Sequence, residues 1–593
     1  MRVGVDTGGT FTDLVRDDGR VVKVPSTPDD PTHALQAALD EADTGAPVEL
    51  LAHGTTVATN ALLEGRGGRV ALVATYGFAD VIEIARQVRP SLYDPTADRP
   101  RPLVERGLRI DVGGRLDGHG RELEPVDPAS VPAVPNGVDA VAVCLLHSDL
   151  DAAHEHLVAK ELAARGLDVT CSHEVSPEFR EYERTVTTVA NAVLRPVCRD
   201  YLLGLDGLAR EALVMTSEGG LVPASDAAER PSALLLSGPA GGVRAAAAVA
   251  LACGFPDAVS FDMGGTSTDV CLVRGGVPEP APSRMVAGYP IRLPALDIHT
   301  IGAGGGSIAR IDAGGALVVG PESAGAVPGP ACYGRGGEKP TVTDADLVLA
   351  RIPDEAAFPG LGRLEVDAAQ RALEREGVPA DGVVAVVDAA MERAVRVVTV
   401  ERGDDARELA LVAFGGAGPL HACAVASALD MRAVIVPPRA GVLSAVGLVC
   451  SPRQRELVRS WPEPLEHAGL AAALDRVAAE AVALVGGHDA EVERLVDCRY
   501  AGQSHELTVA GPDEFPAEHE RRNGFARPGA PVEVVALRVR ARRPAPLSPA
   551  DLPPVARSEV RGPAVVAESD CTVWVPDGWR AEPGPLGAWV LTR

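Results

Sequence analysis

Apolar and polar positions alternate along this chain in short blocks whose period keeps changing. Val3 and Val5 lead into a glycine-bearing turn and Leu14 and Val15 leave it; Val259 and Phe261 lead into a second such turn, and residues 270–273 (Val-Cys-Leu-Val) leave it. Two apolar runs around a tight turn predict a β-hairpin at each place. Residues 69–75 and 139–146 read as buried strands, and residues 151–165 carry apolar positions at helical spacing up to Gly166. Strands alternating with helices predict an α/β layer architecture. A charged segment, residues 174–199, opens with Ser176-Pro-Glu178, which has the form of a helix N-cap and first turn, and predicts a long helix crossing between two lobes. The second lobe opens at Ala212-Leu-Val-Met215 and runs to about Leu448. A proline-rich, charged stretch, residues 451–464, marks the next boundary. The expected division is 1–170, 171–450 and 451–593, the last a smaller domain that begins with an Ala-rich helix and continues in strand-like runs.

The turns carry the chemistry. Asp6-Thr-Gly-Gly-Thr-Phe-Thr-Asp13 returns as Asp262-Met-Gly-Gly-Thr-Ser-Thr-Asp269. Paired glycines are expected to take positive φ and to expose amides that bind an anion, phosphate being the usual one. The flanking aspartates cannot face phosphate directly, so a cation between them is implied. One copy alone is an ordinary turn. Two copies in matching register, both with Asp, describe two tips gripping a polyphosphate from opposite sides of a cleft.

Other glycine clusters follow strands. Ser237-Gly-Pro-Ala-Gly-Gly242 precedes an Ala-rich helix, Ile301-Gly-Ala-Gly-Gly-Gly-Ser307 precedes a strand-like run, and Phe414-Gly-Gly-Ala-Gly-Pro-Leu-His421 opens a helix. Helix N-termini of this kind can meet an anion, and Gly304, Gly305, Gly415, Gly416 and Gly418 are candidates for close backbone approach to a nucleotide. His53, Thr55, Thr56 and Asn60 stand on one loop or helix start, where they either orient a polar substrate or cap the helix.

Composition narrows the classes. A chain of 593 residues exceeds one core. Aromatics at 3% mean cores of Ala, Val and Leu, and a net charge of −26 argues against nucleic acid or an acidic membrane as partner. Only Lys23, Lys160 and Lys339 are lysines, none after a glycine loop, which excludes a P-loop. Ten cysteines without CxxC spacing imply a reducing, cytoplasmic setting.

These motifs resemble the hydantoinase A/5-oxoprolinase family, whose relatives include β subunits of acetone and acetophenone carboxylases. The residues that carry the likeness are the Asp6–Asp13 and Asp262–Asp269 hairpins, residues 53–64, 86–94, 172–196, 237–243, 297–307, Gly329-Pro-Ala-Cys-Tyr-Gly334, 414–421 and Gly502-Gln-Ser-His-Glu-Leu507. The resemblance implies an actin/sugar-kinase/Hsp70-like (ASKHA) fold closing over ATP. It assigns Thr7, Gly8, Gly9, Thr10, Thr12, Gly264, Gly265, Thr266 and Thr268 to the phosphates and the 414–421 loop to the adenosine side. By the same resemblance Asp6 and Asp262 become the catalytic acids, holding Mg²⁺ through water or aligning the γ-phosphate. It also implies a hydantoinase B-type partner subunit in an A₂B₂-type assembly and a cyclic amide substrate, with ketone carboxylation and an ATP-driven clamp as alternatives. Where the family pattern has Asn-Gly-Gly or Asp-Gly-Gly, this chain reads Glu218-Gly-Gly220.

Overall fold

The computed structural model describes all residues except 10, 28, 29, 43, 44, 356–361 and 488. Both turns are hairpins. In the first, β1 (Arg2–Thr7) pairs antiparallel with β2 (Phe11–Arg16), and β2 with β3 (Val21–Pro25). On its other side β1 runs parallel to β4 (Leu50–Thr55), which runs parallel to β5 (Ala212–Met215). β6 (Leu221–Pro223) turns back antiparallel on β5.

The second hairpin repeats that plan. β7 (Ala258–Met263) pairs antiparallel with β8 (Thr268–Arg274), and β8 with β9 (Val277–Pro278). β7 is parallel to β10 (Ala410–Phe414), and β10 to β11 (Ala433–Val436). Each sheet therefore contains the order 3-2-1-4-5, three antiparallel strands followed by two parallel ones.

Residues after 450 extend both sheets. β12 (Arg453–Ser460), β13 (Glu491–Tyr500), β14 (Leu507–Val509) and β15 (Val532–Arg543) continue the first to ten strands in the order β14-β13-β15-β12-β6-β5-β4-β1-β2-β3. β16 (Arg580–Pro583) and β17 (Trp589–Thr592) enter the second, where β17 pairs antiparallel with β11. A separate parallel sheet of four strands, containing Val70–Thr75 and Ala140–Cys144, shares a core with the first hairpin.

Among the helices that pack around these sheets are α1 (Val57–Leu63), α2 (Glu181–Gly204), α3 (Gly238–Ala252), α4 (Gly418–Ala428), α5 (Leu443–Val449) and α6 (Leu470–Val485). α2 starts at Glu181, not near residue 174, because Arg180 takes φ +82° and Ser172–Val175 forms its own short turn of helix. Its buried apolar residues belong to one core that takes in residues 3–205 together with residues 212–235, Val286 and Ile291. The two main cores are Val-, Ala- and Leu-rich, as the scarcity of aromatics requires. α5 follows the second sheet's β11 yet packs on the first sheet: a Cβ on Gly4 would sit 2.2 Å from the Ala445 carbonyl oxygen. All ten cysteines are free, and no helix among the described residues is long and apolar enough to cross a membrane.

Candidate active site

Each hairpin tip is closed by the same bond. The Gly8 N–H donates to the Phe11 carbonyl at 3.1 Å, and the Gly264 N–H to the Ser267 carbonyl at 3.1 Å. The expectation of positive φ is corrected: Gly8, Gly9, Gly264 and Gly265 all lie outside the left-handed region. What glycine provides is space, since a Cβ on Gly9 or Gly265 would meet nothing within 4 Å. Thr266 is exposed at the second tip, and Thr10 lies outside the described residues.

Register sets Asp6 opposite Asp13 and Asp262 opposite Asp269. Asp13 is paired with Lys23 at 2.7 Å, and Asp269 accepts from the Thr300 hydroxyl at 2.5 Å. No hydrogen bond or ion pair from a described residue reaches the carboxylate of Asp6 or Asp262. Burial and the charge of Asp13 push Asp6 up to about 7, with Lys23 opposing. Burial, then Asp269, Asp6 and Asp13, hold Asp262 well above the usual carboxylate range. The two hairpins thus converge closely enough for their acids to repel one another.

Three loops frame them. Gly415 sits at φ +79°, where a Cβ would lie 2.4 Å from Asp262 Oδ1, so the strand-to-α4 turn passes directly under that carboxylate. Gly416 is open to solvent, and the buried Gly418 begins α4. Gly304 and Gly305 support the second tip: their N–H groups donate to Ser307 Oγ at 2.8 Å and to the Gly264 carbonyl at 3.0 Å, which leaves neither amide free for phosphate. Thr12 and Thr268 are buried braces; Thr12 Oγ1 lies 3.1 Å from Ser26 Oγ, which donates to the Gly8 carbonyl, and Thr268 Oγ1 donates to the Ala303 carbonyl at 2.7 Å. The buried Thr7 hydroxyl has no partner among the described residues.

Residues 2–166 match the family model described as the Hydantoinase/oxoprolinase N-terminal region, and residues 184–456 the model described as Hydantoinase/oxoprolinase. The chain is 34% identical to caprolactamase subunit alpha of Pseudomonas jessenii over 100% of its own length and 99% of the relative's. It belongs to the hydantoinase/oxoprolinase family. The crystal structure of the ATP-dependent caprolactamase from Pseudomonas jessenii is similar with a TM-score of 0.87 at 32% identity, covering 100% of both chains. 5-oxoprolinase 1 of Arabidopsis thaliana is 36% identical over 76% of this chain but only 41% of its own. An Aromatoleum aromaticum relative, 32% identical over 75% of this chain and 67% of its own, is named as the gamma subunit of acetophenone carboxylase, where the sequence resemblance had pointed to a β subunit.

Within this hydantoinase/oxoprolinase chain the four candidate substrate residues separate. His53 is fully buried, with Nδ1 3.0 Å from the Val5 carbonyl and Nε2 2.5 Å from the Tyr201 hydroxyl. Burial pushes its pKa down to about 4, so the ring is neutral. Its imidazole ties β4 to β1 and α2 and faces no open surface. Thr55 is buried as well, whereas Thr56 and Asn60 are half-buried at the start of α1 beside Gly238. His421, which as a lone histidine in the sequence reads as structural or solvated, is buried between Asp388 (2.7 Å) and Asp346 (3.2 Å). Burial alone would lower its pKa, but the two carboxylates outweigh it and push it up to about 10, making a charged clip beneath the 414–421 loop. No local signal marks it, because its partners lie 33 and 75 positions upstream.

Proposed function

We propose that this chain is the ATP-binding subunit of a cytoplasmic, ATP-dependent cyclic amide hydrolase of ASKHA fold, with lobes 1–170 and 171–450 and a C-terminal domain 451–593. The observation that carries this reading is the convergence of two like hairpins on Asp6 and Asp262, whose carboxylates lack partners among the described residues. Two acids raised by burial and by neighbouring carboxylates, an orphaned Thr7 hydroxyl and open space over Gly9 and Gly265 fit a magnesium–triphosphate unit. Asp6 and Asp262 would hold Mg²⁺ through water; when bound, the ion neutralises phosphate charge.

Amide resonance makes an unstrained ring a poor electrophile. The amide oxygen attacks the γ-phosphorus, the bond to the β-bridging oxygen breaks and ADP leaves. The amide nitrogen loses its proton, and the resulting imidate-like phosphate is open to water. The chain's contribution is positioning: the tips hold the phosphates, and the 414–421 loop lies toward the adenosine. Ring opening falls to a hydantoinase B-type subunit in an A₂B₂-type assembly.

The test is ATP hydrolysis by the chain co-expressed with a hydantoinase B-type subunit, across cyclic amides and ketones, with and without bicarbonate. Turnover stimulated by a cyclic amide is expected, and Asp262→Ala should lower it about a hundredfold or more. Wild-type turnover in that variant would remove Asp262 from the chemistry, and incorporation of bicarbonate would make the enzyme a carboxylase.

A further inference from the structure

The first sheet is split. β6 meets β12 through a single register pair, Leu221 with Arg453, while β12 pairs with β15 along its whole length. Beyond Leu221 the two strands part, and a cavity of about 370 Å³ opens along the free edge of β12 at residues 455–459. Thr216 and Glu218 from the β5–β6 turn line one wall and Arg230 stands nearby; Pro177, Leu293, Pro294, Leu457 and Leu484 supply apolar surface.

Most charges around the cavity are already answered. Arg459 is paired with Glu480 at 2.6 Å, Arg455 with Asp226, Glu456 with Arg538 and Arg540, and Glu178 with Arg292. Two are not. Glu218 Oε2 is buried without a hydrogen-bond partner, and the Arg230 guanidinium makes no ion pair or hydrogen bond to a described residue. An unanswered acceptor and an unanswered donor therefore share one partly apolar chamber of the size that takes a small molecule.

One wall of the chamber, at Thr216, lies level with the end of the first hairpin's β1. Thr7 is in register with Thr55, and Val214 with His53, which sets Thr216 level with Thr55 along the carboxyl edge of three parallel strands. Two strand spacings give about 10 Å from Thr7 to Thr216, which stands on the edge where α/β sheets bind ligands, while residues 455–459 run back from that edge.

We propose that this cavity receives the ring substrate, with Glu218 and Arg230 holding the amide edge of a cyclic amide against the apolar walls. The assignment rests on the proposed cyclic amide hydrolase function. A ring forces its amide to be cis, so C=O and N–H lie side by side; a carboxylic acid meets that edge with one donor and one acceptor, and a trans amide cannot be matched in the same way. Burial and the nearby Glu456 push Glu218 up to about 7, against the opposing charges of Arg455, Arg540 and Arg230. Arg244 also faces it, and His173, Glu174, Arg459 and Glu480 complete the charged lining. At pH 6 the Glu218 carboxyl is mostly protonated and can donate; above pH 8 it cannot.

The experiment titrates the wild-type chain with ε-caprolactam and 2-pyrrolidinone by ligand-observed NMR, with N-methylacetamide as the trans control. Saturable binding of the rings only is expected, weaker at pH 8.5 than at pH 6. Glu218→Ala and Arg230→Ala should each weaken it tenfold or more. Glu218→Gln, whose carboxamide keeps a donor and an acceptor, should restore binding and remove its pH dependence. Leu484→Trp, which narrows the chamber from α6 without touching either polar group, should also weaken it. If Glu218→Ala and Leu484→Trp bind the rings as wild type does, or retain the wild-type KM in the assembled enzyme, the site assignment falls while the functional reading stands. If the wild-type assembly neither binds the rings nor hydrolyses ATP in response to any cyclic amide, the functional reading falls with it.

Discussion

At the scale of single residues, the site is defined by charge without compensation. Asp6 and Asp262 stand near other carboxylates and neither forms an ion pair with a described residue; Lys23 pairs with Asp13 and only weakens the rise of Asp6 from a distance. Both acids keep their protons longer in the folded chain than in the unfolded one, where they titrate near pH 4. The folded state therefore loses stability as pH rises from about 4 to about 7, the value for Asp6, and does not regain it above. A bound magnesium–nucleotide unit should offset this. The melting temperature is expected to rise on adding Mg²⁺ and ATP, and by more at pH 8 than at pH 6; scanning fluorimetry at both values would measure it, and an equal or smaller shift at pH 8 would count against cation binding by these acids. The repeated Asp-x-Gly-Gly pattern made Asp6 and Asp262 legible in the sequence. Asp13 and Asp269 stood in the same motif, but their direct opposition to Asp6 and Asp262 becomes visible only with strand register. His53 looked available because three polar residues follow it, and nothing local told that Tyr201 would cover its Nε2.

At the scale of elements, α3 and α5, which pack between the two sheets, touch backbone to backbone. A Cβ on Gly447 of α5 would lie 1.8 Å from the Gly241 carbonyl oxygen of α3, and one on Gly241 would lie 2.8 Å from the Ser444 carbonyl oxygen. Here glycine is required by proximity and not by φ. Gly447→Val must therefore push α5 off α3 and, through the Gly4–Ala445 contact, disturb β1 itself. A loss of about 2 kcal/mol or more is expected from such overpacking, read from the urea midpoint; a midpoint within error of wild type would show that the crossing tolerates bulk. The Ala-rich run after Gly242 announced α3, but the crossing partner carried no periodic signal beyond seven residues. The start of α2 was misread because Ser176-Pro-Glu178 has the form of a cap, whereas Glu178 is in fact held by Arg292.

For the whole molecule, the α/β class and both hairpins were legible from apolar periodicity, and the sheet order was not. β12 joins β6 across 232 residues at the pair Leu221–Arg453, and β17 joins β11 at Trp589–Val436; neither pairing leaves a local trace. Removing residues 588–593 should bare the edge of β11 at Val434–Val436, a run of apolar backbone without a partner. The truncated chain is expected to elute as aggregate or to melt well below the full chain in size-exclusion and thermal measurements. Monodisperse protein of unchanged stability would make β17 dispensable.

This arrangement also governs timing. A growing polypeptide completes β11 at Val436, yet β17, the strand that pairs with it, leaves the ribosome about 150 positions afterwards. Until then β11 offers an open edge to any neighbouring nascent copy, so high yields should favour slow translation or chaperone shelter over a strong promoter.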